Sequence, residues 1–430
     1  MNYREAREYI TEKEKLGSVM GLDTIRELLN RMDNPEKQAP VIHIAGTNGK
    51  GSILAFVEET LVQAGKNVGR YISPTIYNYR ERWRHNKTWV SSEEAAEAIS
   101  AVAEKAEEMV TDGLQSPTAF EIETAAAFWL FRKWNCDIVL VECGMGGRLD
   151  ATNVFDDASK TINVLASVSF DHMAVLGDTL EKITNEKLGI VRDDSTLISY
   201  PQCEEVSNIV TDYVNQHGVT FINTDKEDLK IKVENVRGAA FTYKGKDYRI
   251  SVGGEYQILN AITAIEVLKN LGEFLDGDIS EDIISQGLMS TAWDGRFTVA
   301  HIDPLVVIDG AHNEDAWLRL RESVDKYFPN EKLVYIMGVF ADKEYDKMID
   351  ILAPTMDMCY TVRSKNPRAL SPEELASKLR KKGVEARSVG DVKLAVDWAL
   401  DKAKPETKII ICGTLSITGT ALKYMGRLKI

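Results

Sequence analysis

Short apolar runs alternate with longer amphipathic stretches along most of the chain, and this pattern predicts strands that alternate with helices. PVIHIAG (40–46) and CDIVLVECG (136–144) are almost continuously apolar, as strands of a parallel sheet are when both faces are buried. GSILAFVEETLVQAG (51–65) instead has the pattern of an amphipathic helix that ends at a glycine. Short links between such elements favour a doubly wound α/β sheet.

Further segments continue this alternation. We expect strands at NVGRYIS (67–73) and TINVLASVS (161–169), and helices at 91–110 and 117–134. The helix at 91–110 begins with serine and acidic residues, which are favoured in the first turn of a helix.

The pattern changes between about residues 225 and 252, where no helix is predicted. YKGKDY in this stretch is a hairpin signal, so we expect a small antiparallel insert. A helix follows at 255–272, and the strand-helix alternation restarts at LVVIDGAHN. We predict a domain boundary near residue 297, which gives domains of residues 1–296 and 297–430.

Composition narrows the class of protein. A chain of 430 residues with 44% hydrophobic and 27% charged residues is expected to be a soluble protein of two or three domains. Its net charge of −14 disfavours general nucleic-acid binding but allows local cationic clusters that bind small anions. We expect a cytoplasmic protein, because the N-terminus is charged and no apolar run is long enough to span a bilayer. The five cysteines are scattered along the sequence, which indicates a reducing compartment and no structural zinc site.

IAGTNGKGSI (44–53), between a predicted strand and a predicted helix, is close to a phosphate-binding loop. Backbone N–H groups and the helix N-terminus would face the anion, and Lys50 would add a positive charge. The alternative is a glycine-rich turn without a ligand, but the flanking elements and the lysine favour a phosphate site. The predicted phosphate-binding residues are Gly46, Thr47, Asn48, Gly49, Lys50, Gly51 and Ser52.

The loop lacks the hydroxyl that usually follows the lysine and binds magnesium, because Gly51 stands there and Ser52 comes one place later. Ser73, Glu142 and His172 end or follow predicted parallel strands, at the edge where open α/β sheets bind ligands. Each has a structural alternative. Ser73 could begin a turn, and an isolated histidine is usually structural.

Together these segments resemble the folylpolyglutamate synthase and dihydrofolate synthase family of Mur-type ATP-dependent ligases. The resemblance covers most of the chain in order and rests on GLDTIRELL, HIAGTNGKGS, YISP, PTAFE, VECGMGGRLDATNV, LGDTLEKITNEKLGIV, WDGRF and DGAHN. It implies a P-loop ATPase domain followed by a smaller Rossmann-like domain. It also implies ATP-dependent addition of L-glutamate to folates or dihydropteroate through an acyl phosphate, by an enzyme that is a monomer.

The resemblance further implies how the catalytic edge is built. Ser73, Glu142 and His172 correspond to Mg²⁺ ligands, and Lys50, Glu142, His172 and Lys187 to catalytic residues. It implies that Lys187 is carbamylated, since a shielded amine of lowered pKa can take up carbon dioxide. Without the resemblance, Lys187 in LEKITNEKLGIVR (180–192) is best interpreted as a solvated lysine near the end of a short helix.

Other residues correspond to ATP contacts of the family, namely Asn260 near the adenine, Arg296 in WDGRF, and Asp309 and His312 in VVIDGAHN. Two neighbouring positions depart from the family pattern, since Tyr256 replaces a histidine and Asp294 a proline. The alternative role for Arg296 is a surface salt bridge. The alternative role for Asp309 is to cap the following helix.

For the folate-type substrate the family uses the loop after YISP and the PTAFE helix. The corresponding residues are Arg82, Phe120, Glu121, Asp150 and Ala151. Arginines and aromatic residues in PTIYNYRERWRHNK (74–87) could contact a flat ring and a carboxylate-rich tail, although a mobile polar loop is also possible. A Mur-type ligase with another acceptor and a non-catalytic ATP sensor remain alternative functions.

Overall fold

The computed structural model describes residues 1–17, 19–275 and 277–426, and these form two compact units. The first unit comprises Met1–Glu227 and Leu259–Leu288, and the second comprises Asp228–Ile258 and Met289–Ile430. No helix in the described part of the chain is long and apolar enough to cross a membrane.

The first unit is built on an eight-stranded sheet with the order β4-β3-β2-β5-β1-β6-β7-β8. The six neighbouring strands β2, β5, β1, β6, β7 and β8 are parallel to one another. Strands β3 and β4 form an antiparallel extension beside β2. The strands are β1 (Val41–Ala45), β2 (Val68–Tyr71), β3 (Trp83–His85), β4 (Thr88–Trp89), β5 (Ile138–Glu142), β6 (Thr161–Leu165), β7 (Thr196–Ser199) and β8 (Thr220–Asn223).

The second unit contains two sheets. A three-stranded antiparallel sheet has the order β11-β10-β9, and a six-stranded sheet has the order β12-β13-β17-β14-β15-β16, in which only β12 is antiparallel to its neighbour. The strands are β9 (Leu229–Asn235), β10 (Gly238–Tyr243), β11 (Lys246–Ile250), β12 (Thr298–Ile302), β13 (Leu305–Ile308), β14 (Leu333–Met337), β15 (Met356–Val362), β16 (Glu385–Gly390) and β17 (Lys408–Cys412).

Helices connect the strands in both units. They are α1 (Tyr3–Glu14), α2 (Asp23–Arg31), α3 (Lys50–Gln63), α4 (Ser92–Thr111), α5 (Ala119–Lys133), α6 (Met173–Leu176), α7 (Leu180–Leu188), α8 (Glu204–His217), α9 (Glu255–Lys269), α10 (Glu281–Ser290), α11 (Glu314–Tyr327), α12 (Tyr345–Leu352), α13 (Pro372–Lys381), α14 (Val392–Asp401) and α15 (Leu415–Tyr424). One core cluster joins α1, α2, α4 and α5 to β1 and β5, and another joins α7 and α8 to β6 and β7.

The predicted α/β class is confirmed, and local chemistry explains why the elements form where they do. Every residue of β1, β5 and β6 is buried, as expected for central parallel strands. The side chain of Ser91 caps α4 in a capping box with Glu94. In the antiparallel insert, Lys244 and Gly245 both have positive φ between β10 and β11, which is the two-residue hairpin geometry indicated by YKGKDY.

Two strands are shorter than the sequence pattern indicates. β2 ends at Tyr71, two residues before Ser73, and β6 ends at Leu165, seven residues before His172. Beyond β6 the backbone bonds to the chain that follows β1 instead of extending the regular ladder, since Thr47 N donates to Ser167 O at 2.7 Å. Apolar periodicity continues through such a segment, and therefore it does not mark where the ladder ends.

The second unit includes residues 228–258, which the predicted boundary near residue 297 assigns to the first domain. Within this unit, Lys326 on α11 pairs with Glu234 on β9 at 2.6 Å and with Glu255 on α9 at 2.9 Å. Tyr327 also donates a hydrogen bond to Glu234. These contacts join the insert to α11. The domain division at residues 296 and 297 remains a prediction.

Candidate active site at the carboxyl edge of the first sheet

The sheet order places four predicted site segments side by side. Strands β2, β5, β1 and β6 are consecutive neighbours, and they are parallel. Their carboxyl ends therefore lie along one edge, where open α/β sheets bind ligands. This edge carries the 46–52 loop after β1, Ser73 after β2, Glu142 at the end of β5, and the 166–172 segment after β6.

The 46–52 loop is held in shape by its own lysine and by the neighbouring segment. Lys50 Nζ donates to Gly46 O at 3.0 Å and lies 3.8 Å from Glu142 Oε1. Thr47 and Ser169 exchange two hydrogen bonds, from Thr47 Oγ1 to Ser169 O and from Ser169 N to Thr47 Oγ1. The loop therefore lies between the ends of β5 and β6, and its lysine faces a carboxylate.

The N-terminus of α3 has the features of an anion site. Its N-cap is Gly49, with φ of 89°, and no side chain caps it. A Cβ at Gly49 would lie only 2.6 Å from Asn260 Oδ1, so both the backbone conformation and the space there require glycine. Ser52, within the first turn, is buried. The predicted residue Asn260, on α9, thus lies against the loop and reaches it from a distant part of the chain.

Lys187 is the residue whose environment differs most from the sequence-based interpretation. It lies on α7 and is only 3% exposed, so it is not a solvated lysine. Burial, and then repulsion by Lys50, lowers the pKa of Lys187 to about 7, and Cys143, Asp171 and Asp150 oppose this effect. A large fraction of the side chain is therefore a neutral amine near neutral pH, close to the lysine of the loop.

His172 lies differently from the other candidates. It precedes the four-residue helix α6 with φ of 51°, and its side chain is about half exposed. Its Nε2 is 3.9 Å from Asp171 Oδ1. Exposure excludes the structural alternative of a buried core histidine. Its role as a metal ligand remains a prediction.

The donor set at this edge fits a magnesium ion that is shared with a nucleotide. Glu142 is buried and supplies carboxylate oxygens, and the half-buried Ser73 supplies a hydroxyl from the adjacent strand. Among the described residues, no group of three or more His, Cys, Asp or Glu side chains could hold a metal alone. Magnesium commonly binds through one or two carboxylates, phosphate oxygens and water, so these residues suit it.

Two of the predicted folate contacts already have protein partners. The Arg82 guanidinium pairs with Glu123, and its Nε donates to Tyr79 O at 3.1 Å. Glu121 Oε2 accepts from Thr118 N and from Thr118 Oγ1, both at 2.8 Å, in the capping box of α5. Part of the 74–87 loop belongs to β3, so this loop is not wholly irregular. Contact with folate remains a prediction for both residues.

The other three predicted folate contacts lie at the segment that follows β5. A Cβ at Gly144 would lie 2.6 Å from the Phe120 ring, so this ring packs directly on the segment. Asp150 and Ala151 are both buried. Burial raises the pKa of Asp150, although its hydrogen bonds oppose this effect.

Three predicted ATP contacts belong to the second unit. Asp309 Oδ2 accepts from Tyr256 Oη and from Phe297 N, both at 2.8 Å, and its Oδ1 accepts from Ala311 N at 2.7 Å. Asp309 does not cap α11, because Asn313 occupies the N-cap and accepts from Ala316 N.

Arg296 and His312 lie close to Asp309 in the chain fold of this unit. A Cβ at Gly310 would lie 2.7 Å from Arg296 Nη1, and His312 Nδ1 lies 2.8 Å from Gly310 O. The structure thus brings Arg296, Asp309 and His312 together around Gly310. Their contact with ATP remains a prediction.

The sequence analysis missed a buried polar chain beneath the site. His43, in the middle of β1, is fully buried, and its Nε2 lies 2.9 Å from Thr152 Oγ1 and 3.2 Å from Cys143 Sγ. The available signal was the histidine itself, because a polar residue inside an all-apolar buried strand needs a hydrogen-bond partner. The partner could not be identified from the sequence, since it lies 109 residues away.

Residues 143–153, which follow β5 in the chain, form hydrogen bonds to the helix that carries Lys187 and to the residue that ends this helix. Arg148 N donates to Glu186 O at 2.7 Å, and Asn153 Nδ2 donates to Gly189 O at 2.9 Å. Gly147 permits this approach, because a Cβ there would lie 2.7 Å from Lys187 O.

Replacement of Gly147 by alanine is expected to move α7 and to lower kcat/KM by about tenfold, with a loss of about 1–3 kcal/mol in unfolding free energy from overpacking. Initial-rate kinetics and thermal unfolding measure the two effects. Gly383→Ala is the control, since its Cβ meets nothing within 4 Å while its φ of 82° still strains alanine. Equal activity in the two variants would contradict the packing role of Gly147.

Two family models match most of the chain. The model of the Mur ligase middle domain matches residues 44–268, and that of the Mur ligase glutamate ligase domain matches residues 295–415. The chain is 32% identical over 380 residues to the dihydrofolate synthase/folylpolyglutamate synthase of Bacillus subtilis, covering 87% of this chain and 88% of that protein. It is 31% identical over 429 residues to the folylpolyglutamate synthase of Lacticaseibacillus casei, covering 96% of each.

Solved structures give the same result. Mycobacterium tuberculosis folylpolyglutamate synthase complexed with ADP and AMPPCP matches with a TM-score of 0.87 and 25% identity, over 98% of this chain and 99% of that one. E. coli FolC in complex with DHPP and ADP matches with a TM-score of 0.84 and 28% identity, over 98% of each chain. The chain therefore belongs to the folylpolyglutamate synthase and dihydrofolate synthase family of Mur-type ligases, and it is an ATP-dependent ligase that adds L-glutamate to folates, to dihydropteroate, or to both.

Proposed function

We propose that this ligase glutamylates both dihydropteroate and reduced folates, and that Lys50, Glu142 and Lys187 are central to its catalysis. The observation that carries the catalytic part is the burial of Lys187, an amine of lowered pKa, close to the lysine of a phosphate loop. Such a perturbed group in a ligand-binding edge is a candidate for function. The proposal of two substrates is supported by the Bacillus subtilis relative, whose name includes both activities.

The reaction needs an activated carboxylate, because a carboxylate at neutral pH does not react with an amine. In the first step a substrate carboxylate oxygen attacks the γ-phosphorus of ATP, and the bond to the leaving ADP oxygen breaks. In the second step the amino nitrogen of glutamate attacks the acyl carbon, phosphate leaves, and the amine releases a proton. Such phosphoryl transfer depends mainly on positioning and charge neutralisation.

Within this scheme the 46–52 loop binds the phosphates. The N-terminus of α3 directs backbone N–H groups towards an anion, and Lys50 neutralises negative charge on the phosphates. Lys50 Nζ now contacts Gly46 O and Glu142, so phosphate would compete with these partners for the ammonium group. Asn260, on α9, lies against the loop at Gly49.

Mg²⁺ would be held by Ser73 and Glu142, with His172 as a further ligand. When bound, the ion would neutralise phosphate charge. Glu142 already neighbours Lys50 and is buried, so its carboxylate is in place for a second cation close to the loop.

Lys187 is proposed to act as a carbamate. Its neutral amine forms an N–C bond with carbon dioxide and releases a proton, which leaves a buried anion in place of the neutral amine. The anion would lie near Lys50 instead of repelling it, and this exchange of charge favours the modification.

The folate-type substrate is proposed to bind beside the end of β5, against Phe120 and Ala151. Arg82, Glu121 and Asp150 are proposed to line the same region, while they keep their existing contacts with other protein groups. For ATP, the contacts proposed in the second unit are Arg296, Asp309 and His312. A monomeric state and a cytoplasmic location remain predictions.

Product analysis tests the proposed function. Dihydropteroate and tetrahydrofolate, offered separately with ATP, Mg²⁺ and L-glutamate, are each expected to give ADP and a product that is heavier by one glutamate residue. With an ¹⁸O-labelled substrate carboxylate, one ¹⁸O is expected in the released phosphate, as an acyl phosphate requires. Reaction of only one substrate would contradict the proposed dual activity, and unlabelled phosphate would contradict the acyl phosphate.

A further inference from the structure

The four residues that follow β6, residues 166–169, are bonded on one side to the phosphate loop. Ser167 O accepts from Thr47 N at 2.7 Å and from Asn48 N at 3.3 Å. Thr47 also exchanges two hydrogen bonds with Ser169. These contacts join the backbone of the phosphate loop to the backbone of residues 166–169. A shift of the one segment would therefore be transmitted to the other.

Gln202 bonds the same four residues from the other side, since it follows β7, and β6 lies between β1 and β7 in the sheet. Its Oε1 accepts from Val168 N at 3.0 Å, and its Nε2 donates to Ala166 O at 2.9 Å. A backbone N–H can only donate and a carbonyl oxygen can only accept, so these two partners fix the orientation of the amide. Val168 and Ala166 are both buried.

The side-chain amide of Gln202 takes the place of a backbone residue in the parallel ladder. In such a ladder the N–H and C=O of one residue bond to two residues of the neighbouring strand that are two positions apart, as the two partners of this amide are. Tyr200 N donates to Leu165 O at 2.8 Å at the end of the ladder, and the next residue, Pro201, has no N–H. The glutamine thus continues the pairing beyond a residue that cannot donate.

We propose that Gln202 is a positioning residue for ATP binding, because its amide holds residues 166–169 against the phosphate loop. Without the amide, one buried N–H and one buried C=O would lose their partner, and the segment would move to recover hydrogen bonds. Thr47 and Asn48 would move with it, and the loop would bind phosphates less tightly. Gln202 itself needs no contact with ATP. The inference rests on the proposed function for the phosphate-binding role of the 46–52 loop.

Nucleotide binding by Gln202→Met tests this role. Methionine is close to glutamine in length and volume but forms neither hydrogen bond. We expect the KM for ATP, and the Kd for the ATP analogue AMPPCP with Mg²⁺, to rise about tenfold, while the KM for glutamate changes less than about threefold. Calorimetric titration measures the Kd without turnover. Unchanged nucleotide affinity would overturn the proposal, and so would a fall in kcat alone, which is what loss of folded enzyme causes.

Gln202→Glu provides a second test, which also serves if Gln202→Met does not fold. At pH 8 its carboxylate still offers an oxygen to Val168 N but has no N–H for Ala166 O. We expect weaker AMPPCP binding in this variant as well. Wild-type affinity would overturn the proposal, because the two-sided pairing of the amide would then be unnecessary.

Asn163→Leu is the matched control, because it removes another side-chain amide between β6 and the chain at β7. Asn163 is buried on β6, and its Nδ2 donates to Ser195 Oγ at 3.1 Å and to Thr196 O at 3.3 Å, towards the amino ends of the two strands. The affinity of this variant for AMPPCP is expected to equal that of wild type. An equal loss of affinity in the control would overturn the specific role of Gln202.

Hydrogen exchange in the nucleotide-free protein examines the contact itself. With ¹⁵N-valine labelling, Val168→Ile identifies the amide resonance of Val168. We expect this N–H to be protected in wild type and to exchange at least about tenfold faster in Gln202→Met. An unprotected Val168 N–H in wild type would overturn the proposal.

Lys50→Met separates failure of this inference from failure of the proposed function. If Lys50→Met binds AMPPCP as wild type does, the 46–52 loop is not the phosphate site, and both are overturned. If Lys50→Met loses affinity and Gln202→Met does not, the phosphate loop is retained and only the positioning role of Gln202 is overturned. Loss of affinity in both variants, with Asn163→Leu unchanged, is the expected result.

Discussion

Replacement of Lys187 by alanine is expected to lower kcat by about 100- to 1,000-fold, because the site loses an anion that balances the positive charge of Lys50. Short carboxylates such as formate or acetate are expected to restore part of the activity, since the truncated side chain leaves space for them near Lys50. Steady-state kinetics with increasing formate measure both effects. Full activity without added carboxylate would exclude the carbamate role.

A lysine on the same helix provides a matched control. Lys182 is exposed and pairs with Asp178 at 2.8 Å, so Lys182→Ala removes a lysine from α7 without reaching the site. Its kcat is expected to equal that of wild type, with no response to formate. A formate response in this variant would show that the rescue is not specific to position 187.

The lowered pKa also gives the pH dependence of activation by bicarbonate. Only the neutral amine takes up carbon dioxide, and the pKa of Lys187 in the folded protein is about 7 against an ordinary value of 10.5. Activation should therefore be weak at pH 6 and strong at pH 8.

The same pKa difference affects stability. At pH values between these two pKa values, Lys187 binds more protons in the unfolded chain than in the folded protein, so the free energy of unfolding increases as the pH rises from about 7. Lys187→Met, which removes the buried charge, should be at least as stable as wild type at pH 6.

Replacement of Glu142 by alanine is expected to reduce kcat by about 1,000-fold, equivalent to about 4 kcal/mol of transition-state stabilisation. The carboxylate is the strongest oxygen donor proposed for Mg²⁺ at this edge, and it lies 3.8 Å from Lys50 Nζ. The variant should also need a much higher Mg²⁺ concentration for half-maximal rate. Titration of the rate with Mg²⁺ measures this shift.

Glu266→Gln serves as the control, because it alters another buried carboxylate of the first unit, on α9. Its Mg²⁺ titration is expected to match that of wild type. Thermal unfolding should show that Glu142→Ala remains folded, since removal of one carboxylate at the end of β5 leaves the strand pairing of β5 intact. A normal Mg²⁺ dependence in Glu142→Ala would rule out the ligand role.

Local sequence signals predicted much of the architecture. The buried apolar runs at β1 and β5, the capped start of α4 and the hairpin between β10 and β11 depend on residues close together in the chain, and all are present. The predicted ends of β2 (residue 73) and β6 (residue 169) were wrong, since the strands end at Tyr71 and Leu165. The ladder stops where the backbone changes partner, and apolar periodicity does not record this. The phosphate loop could be predicted because a strand, a glycine-rich stretch, a lysine and a helix are contiguous.

Interactions across long sequence separations were not predictable in this way. Arg82 pairs with Glu123, which lies in another element, so a residue that looked available for folate has a protein partner. The capping box of Thr118 and Glu121 is instead a local signal that the sequence analysis missed. Asp309 was a possible helix cap, but it accepts hydrogen bonds from Tyr256 and Phe297 instead.

By itself, the sequence determined the alternation of strands and helices and the family, and it predicted the phosphate loop, since these depend on local periodicity and contiguous motifs. Only the tertiary structure decided that Lys187 is a buried amine, that Glu142 faces Lys50, and that Asp150 accepts hydrogen bonds from Met145 N, Thr152 N and Thr152 Oγ1. The physical reason is that pKa values and hydrogen-bond saturation depend on burial and on neighbours far away in the chain, which packing alone brings together.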